Sequence, residues 1–305
     1  DSPSIIPVRT LRMSHEVELK LALGPDGPDA LRRHPRLAGE ASRRETLVNT
    51  YYDTPEGDLK EARVALRLRR IGDEWRQTLK TSGQGGGGLS TRGEWEWKVA
   101  GDTLDLEGLK GLEPIQALDE TLLTRLVPCF TTDFQREVWL LQSDGGEVEI
   151  ALDEGEIRVG ELSVTIREVE LELKRGDARQ LLELADGFAE SVPLRPSDTS
   201  KAARGTALAE GWRLPSGDSP STLLHRLVVA LDAYADTQDS GWMVTARETL
   251  ERLAQCSSAP GVGEEVKHLQ GSLEDAEHRP DWLSAEVGAG LLRLGRRLPD
   301  NVEME

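Results

Sequence analysis

The sequence predicts an α+β fold, an antiparallel β-barrel with a charged lumen and covering helices, followed by a small C-terminal α-helical bundle. Three observations point there. Ser14 to Leu23 alternates charged and apolar residues with the two-residue period of a strand, so Glu16, Glu18 and Lys20 share one face and Val17 and Leu19 take the other. The pattern returns as Glu168-Val-Glu170-Leu-Glu172-Leu-Lys174 and as Glu94-Trp-Glu96-Trp-Lys98, while Leu66 to Arg70 puts Arg67 and Arg69 on one face. One strand with a glutamate face is an ordinary half-exposed strand. Acids and bases repeated over several strands of one sheet point instead to the inside of a closed barrel. Beyond the linker the period changes: Leu224, Leu227, Val228, Leu231 and Tyr234, and later Leu283, Val287, Leu291, Leu294 and Leu298, follow helical spacing.

Composition sets the outer limits. A chain of 305 residues with 37 % apolar content has room for one large domain and a smaller one, each with a core. The net charge of −18 excludes general affinity for nucleic acid or an anionic membrane, which needs an excess of cations on a face. A small polyanion held in a local basic pocket remains compatible. Cys129 and Cys256 have no metal-ligand spacing and fit a reducing, cytoplasmic setting. No apolar run approaches the roughly 20 residues of a membrane span. Asp1 to Arg12 lacks the apolar stretch of a signal peptide, so Met13 reads as a native start and residues 1–13 as a leader or expression-derived segment.

The elements follow in order. Gly24-Pro-Asp-Gly-Pro is a turn, and Pro28 at a first helical position opens a short helix to Arg33. Leu47 to Tyr52 is a strand closed by Asp53-Thr-Pro55. Val64 to Ile71 and Trp75 to Thr81 form a hairpin around Gly72-Asp73, with Arg67, Arg69, Thr78 and Lys80 toward the lumen. Ser82 to Gly88 lacks the Gly-Lys-Ser/Thr ending of a phosphate loop and reads as a flexible hairpin loop at the barrel mouth. Trp95 and Trp97 face away from the glutamates, outward under a helix, and Asp102 to Val127 contains a helical stretch. Phe130 to Leu141 and Glu147 to Leu152 form a hairpin across residues 143–146, with Arg136 and Asp153 as lumen charges. Leu162 to Lys174 is a long strand. Asp177 caps a helix whose stripe is Leu181, Leu184, Ala185 and Phe188. Ser200-Lys-Ala-Ala-Arg-Gly closes a first domain over 14–212, residues 213–220 are a linker, and 221–305 form the helical domain. His225, His268 and His278 lie there without ligand spacing, and the bundle carries no chemistry of its own.

Glu16-Val-Glu18-Leu-Lys20 resembles the Glu-x-Glu-x-Lys signature of the CYTH superfamily, the triphosphate tunnel metalloenzymes. Six further motifs follow in the same order. They are Tyr51-Tyr-Asp-Thr-Pro55, Leu66-Arg-Leu-Arg69, Thr78-Leu-Lys80, Asp133-Phe-Gln-Arg136 with Ala151-Leu-Asp-Glu-Gly155, Glu168 to Leu173, and Ser200 to Gly205. The resemblance covers about residues 14 to 210 and implies an eight-stranded antiparallel tunnel that holds a triphosphate, with basic residues on the phosphates and glutamates on divalent metal. It is nearest to bacterial inorganic triphosphatases with a helical region or a CHAD domain after the tunnel. Only about 85 residues follow the linker here, short for a CHAD bundle and without its recurrent histidines, so a polyphosphate-binding role is not carried over.

On that resemblance Lys20, Arg67, Arg69, Lys80, Arg136, Lys201 and Arg204 form the substrate shell, since burying about four negative charges requires cations on every side. Glu16, Glu18, Asp153, Glu168, Glu170 and Glu172 are the metal ligands, and their hard oxygens suit Mg²⁺ or Mn²⁺. Lys80, Glu18 and Glu170 are the residues assigned to catalysis, with Lys80 beside the leaving pyrophosphate. The implied reaction is hydrolysis of inorganic triphosphate to pyrophosphate and phosphate. The alternatives are a thiamine- or nucleoside-triphosphatase, an adenylyl cyclase, or a non-catalytic polyphosphate-binding scaffold. Every assigned ligand precedes the linker, so residues 13–212 are expected to be active alone. No protein partner of the helical domain is legible.

Overall fold

Alternation along each strand decides which side of the sheet is buried and which encloses the charges. The computed structural model describes residues 14–119, 121–143, 145–274, 279 and 281–298. The leader segment and His278 lie outside them. The strands are β1 (Ser14–Leu23), β2 (Ser42–Asp53), β3 (Val64–Ile71), β4 (Glu74–Thr81), β5 (Gln84–Gly86), β6 (Leu89–Val99), β7 (Val127–Ser143), β8 (Gly146–Val159), β9 (Leu162–Arg175) and β10 (Leu194–Pro196). The helices are α1 (Gly27–Arg33), α2 (Asp58–Glu61), α3 (Leu106–Lys110), α4 (Glu113–Gln116), α5 (Arg179–Ala189), α6 (Lys201–Glu210), α7 (Pro220–Thr237), α8 (Ser240–Cys256), α9 (Val262–Glu274) and α10 (Ala285–Arg297).

Eight strands, in the order β1-β9-β8-β7-β2-β3-β4-β6, pair antiparallel, and β6 pairs back to β1. The sheet is therefore a closed barrel, which removes its free edges. The short strands β10 and β5 add to β1 and β6 at one end. Two apolar layers wrap the barrel. Leu19, Leu21, Ile150, Leu152, Val169 and Leu171 face outward under Leu181, Leu184, Ala185 and Phe188 of α5. On the other side Leu66, Leu79, Trp95 and Trp97 pack beneath Leu109, Leu112, Ile115, Leu122 and Leu123. Trp97 satisfies its indole N–H with Asp105 Oδ2 at 3.0 Å, and the same carboxylate caps α3 through Gly108 N at 2.9 Å.

The cover over this second side differs from the single helical stretch expected between Asp102 and Val127. It is broken into α3, α4 and a 3-10 turn at Leu122–Arg125, because Gly111 and Pro114 punctuate it. The glycine-rich segment after β4 also differs from a flexible loop. It contains β5, and Gly88, with φ +88°, lies so close to β1 that an added Cβ would stand 2.6 Å from the Lys20 carbonyl oxygen.

A smaller apolar group, Leu47, Phe134, Ile157 and Ile166, belongs to the lumen face and seals part of the interior. Helix α6 packs against β7, β8 and β9 beside it. Beyond residues 211–218, which carry no helix or strand, α7 to α10 enclose their own core of Leu224, Leu227, Leu231, Leu250, Leu269 and Leu291. Leu292 of α10 reaches into the outer barrel layer. No described helix is long and apolar enough to cross a membrane.

Candidate active site in the barrel lumen

Register brings the lumen charges into opposed rows. Lys20 stands opposite Glu170 and Glu18 opposite Glu172 across β1 and β9. Arg136 faces Asp153 on β8, and Lys80 faces Glu94 on β6. A cavity of about 770 Å³ opens among them, lined by Glu18, Lys20, Arg67, Arg69, Lys80, Arg136, Glu170 and Lys201, together with Arg63 and Arg92. With Lys60, nine lysine and arginine residues therefore line one space that Glu18 and Glu170 share.

Two charge systems make up its wall. In the first, Lys201 Nζ lies 2.7 Å from Asp153 Oδ2 and 3.1 Å from Glu170 Oε1 and also pairs with Glu168. Arg136 forks onto Asp153 with two 2.7 Å bonds and reaches Glu170 Oε2 at 2.6 Å. Burial alone would raise the Glu170 carboxyl, but Lys201, Arg136, Lys20 and Lys80 hold it well below the usual range. In the second system Lys80 Nζ bridges Glu16 Oε2 at 2.9 Å and Glu94 Oε1 at 3.2 Å, while Arg92 pairs with Glu18. Glu16 and Glu94 also hydrogen-bond each other. Burial and that bond push Glu94 up to about 7; burial raises Glu16 too, but the bond and Lys80 prevail and hold it at about 2.

The basic side is less fully paired. Lys20 is 4 % exposed, and its ammonium makes no hydrogen bond or ion pair among the described residues. Arg67 Nε and Arg92 Nε are buried without a partner. Arg69 donates to Asn49 Oδ1 at 2.7 Å, and burial, Arg67 and Arg136 push it down to about 9.

The remaining predicted residues lie elsewhere. Arg204 is held by Asp236 at 2.6 and 2.9 Å and by the Thr165 carbonyl at 2.6 Å, and it lines a separate cavity beside α7. Glu172 pairs with Lys174 at 2.7 Å. Asp153 and Glu168 are buried beneath Lys201 rather than lining the cavity.

The ordered motifs thus sit on one closed barrel, with the last, Ser200 to Gly205, opening α6 against it, and the family model for the CYTH domain matches residues 14–206. This chain belongs to the CYTH domain family. An inorganic triphosphatase of Haemophilus influenzae is 35 % identical over 205 residues, covering 64 % of this chain and 55 % of that protein. The chain thus spans about half the length of that curated relative. Among solved structures, HpAC1 from Hippeastrum, an adenylyl cyclase candidate with a dominant triphosphatase activity, is 19 % identical. The match covers 66 % of this chain and 98 % of that one, with a TM-score of 0.46. The inorganic triphosphatase NE1496 is 22 % identical, with coverage of 56 % and 79 % and a TM-score of 0.22. At such TM-scores nothing further rests on either likeness.

Two carboxylate sets in this CYTH domain have the oxygen chemistry of a hard divalent cation. Asp153, Glu168 and Glu170 bring ligand atoms within 4.8 Å of one another, yet Lys201 and Arg136 already balance them. Glu16, Glu94 and Glu18, on the other wall, are likewise balanced, by Lys80 and Arg92.

Glu94, Glu96, Arg92 and Arg63 were not assigned roles from the sequence. Strand β6 starts at Leu89, four residues before the echo at Gly93, so continuing the two-residue period back from Glu96 through Glu94 would have reached Arg92. Arg63 has no such signal. It sits at the end of α2 with φ +59° and enters the cavity wall through the chain's turn.

Proposed function

We propose that this CYTH chain hydrolyses inorganic triphosphate to pyrophosphate and phosphate with Mg²⁺ or Mn²⁺, in a reducing, cytoplasmic setting consistent with its exposed free thiols. One observation carries the reading: Lys20, Arg67, Arg69, Lys80, Arg92, Arg136 and Lys201 converge on one cavity, and the buried Nε of Arg67 and that of Arg92 have no hydrogen-bond partner among the described residues. Buried donors of this kind are costly unless an anion meets them. Cations on β1, β3, β4, β6 and β7 and on α6 match an anion with several linked phosphoryl groups. The Haemophilus triphosphatase supports the same substrate class.

Glu16, Glu18 and Glu94, with Glu170 across the lumen, would hold the metal. When bound, a divalent cation supplies neutralisation of phosphate oxygens and a water of lowered pKa. The guanidinium forks of Arg67 and Arg136 suit paired phosphate oxygens, and Lys20 and Lys201 act as point charges. Lys80 stands between Glu16 and Glu94, placed to receive charge that develops on the leaving pyrophosphate. An organic triphosphate would use an aromatic platform at the cavity. Tyr51 and Phe130 do line it, but their rings stack on each other at 4.6 Å, and Phe130 also lies against Gly205, where a Cβ would come within 2.3 Å. That counts against a stacked base or thiamine ring.

The test is phosphorus NMR of the full chain with tripolyphosphate, thiamine triphosphate, ATP, long-chain polyphosphate and pyrophosphate under Mg²⁺ and Mn²⁺. Tripolyphosphate is expected to turn over fastest and to yield equal pyrophosphate and phosphate. Pyrophosphate, which lacks one anchor, is expected to be a poor substrate. Equal consumption of pyrophosphate would overturn the three-phosphate reading.

A further inference from the structure

We propose that Asp232, on helix α7 of the C-terminal region, is the positioning residue for Lys201. The proposal deepens the triphosphate reading and rests on it. Lys201 is the first residue of α6, and Ser200 caps that helix through Ala203 N at 3.1 Å. The residues leading into it, 197–199, belong to no helix or strand; the Ser197 amide donates to the Lys20 carbonyl at 3.1 Å, and the Asp232 carboxylate holds the residues that follow. Its Oδ2 accepts from Ser197 Oγ at 3.2 Å, Asp198 N at 3.2 Å and Thr199 N at 3.1 Å. Its Oδ1 accepts from Arg195 Nη1 at 2.5 Å. One carboxylate, 4 % exposed, thus holds four of the five residues from Arg195 to Thr199.

The same helix braces the turn on both flanks. His225 Nδ1 lies 2.8 Å from Asp198 Oδ2, and Asp236 binds Arg204, three residues past Lys201. His225, Asp232 and Asp236 recur at intervals of seven and four and form one stripe of α7. Asp198 passes the restraint on to the glycine-rich segment, accepting from Gly88 N at 2.5 Å and Gly87 N at 3.3 Å. Both Asp198 and Lys201 line the lumen cavity. A buried lysine ammonium shared among Asp153, Glu168 and Glu170 has no slack of its own, because a shift of its helix start moves it off all three. The C-terminal helices therefore take part in shaping the site.

Two variants in the full chain separate positioning from plain stability. Asp232→Asn withdraws the charge from the Asp198 and Thr199 amides and from Arg195, whereas Arg195→Gln breaks the ion pair and the Nη1 bond to the Pro196 carbonyl and leaves the carboxylate on the backbone. Both should lower Tm. Loss of folded protein lowers apparent kcat and leaves KM alone, while a displaced Lys201 weakens substrate anchoring. At temperatures where both variants keep native circular dichroism, Asp232→Asn should raise KM for tripolyphosphate about tenfold with kcat within about threefold. Arg195→Gln should leave KM within about twofold. An unchanged KM in Asp232→Asn, or an equal rise in both variants, overturns the proposal. If Asp232→Asn does not fold, Asp232→Glu carries the same KM test, because it keeps the charge and displaces the carboxylate by one methylene. If the wild-type chain shows no tripolyphosphate turnover, the functional reading fails. Positioning is then read from hydrogen exchange: Asp232→Asn should speed exchange at the Asp198 and Thr199 amides by about tenfold or more, and unchanged protection overturns it.

Discussion

Glu170 is the residue at which substrate cations and candidate metal ligands meet, since Lys201 from α6 and Arg136 from β7 pair with it and Lys20 stands opposite on β1. Glu170→Gln and Glu18→Gln each remove a charge with little change of shape. Each is expected to reduce Mg²⁺-dependent phosphate release by about 100-fold or more, or about 2.7 kcal/mol in barrier, with native circular dichroism retained. Near-normal turnover in both would refute the carboxylate assignment. Arg92 tests the basic side. Its Nη2 pairs with Glu18 and its Nε is unpartnered, so Arg92→Gln should raise KM for tripolyphosphate about tenfold, measured against wild type at equal Mg²⁺.

At the scale of elements, the outward face of β6 and the broken cover above it are one packing unit. Trp97 is 6 % exposed beneath α3 and gives its indole N–H to Asp105, so Trp97→Ala should cost about 3 to 5 kcal/mol, measured by urea denaturation. The contact between α7 and the turn before α6 is pH-dependent through His225. The hydrogen bond to Asp198 raises the imidazole pKa above its ordinary value despite partial burial, with Asp198 and Asp232 adding charge and Arg63 opposing. A group with a raised folded pKa contributes stability that is complete below its unfolded value and fades as pH rises through the folded one. The excess Tm of wild type over His225→Ala should therefore be largest below the ordinary imidazole pKa and shrink as pH rises above it, as melts across that range would report. A gap that grows with pH would contradict the assignment.

At the scale of the whole molecule, the two halves share more than a linker. If residues beyond 212 are removed, Arg195 loses Asp232, and Arg204 loses Asp236 and keeps Glu168 at 3.6 Å; breaking a buried ion pair costs about 3 to 5 kcal/mol. Gly288 of α10 lies so close to the Leu194 carbonyl that a Cβ would stand 1.7 Å away, and Leu292 fills the outer barrel layer. A fragment of residues 13–212 is therefore expected to melt well below the full chain and to lose most tripolyphosphate turnover. That reverses the expectation drawn from ligand positions alone, and a fragment as active as the full chain would restore it.

The sequence alone determined the faces. A two-residue period in Glu16-Val-Glu18-Leu-Lys20 and its echoes dictates which side chains enter a lumen and which meet a helix, because a strand has only two sides. The stripes of α5 and of the C-terminal helices are legible for the same reason at a period of 3.6. The closure of β6 onto β1, the burial of Lys201 among three carboxylates and the turn of Arg204 toward Asp236 were decided only in the tertiary structure. Periodicity says that a residue faces inward but not what faces it, and the partner here is set by register between strands far apart in the chain. Asp232 is the clearest case: on its own helix it is one more acid in an acidic chain, and only the docking of α7 against the turn before α6 gives its carboxylate four donors to hold.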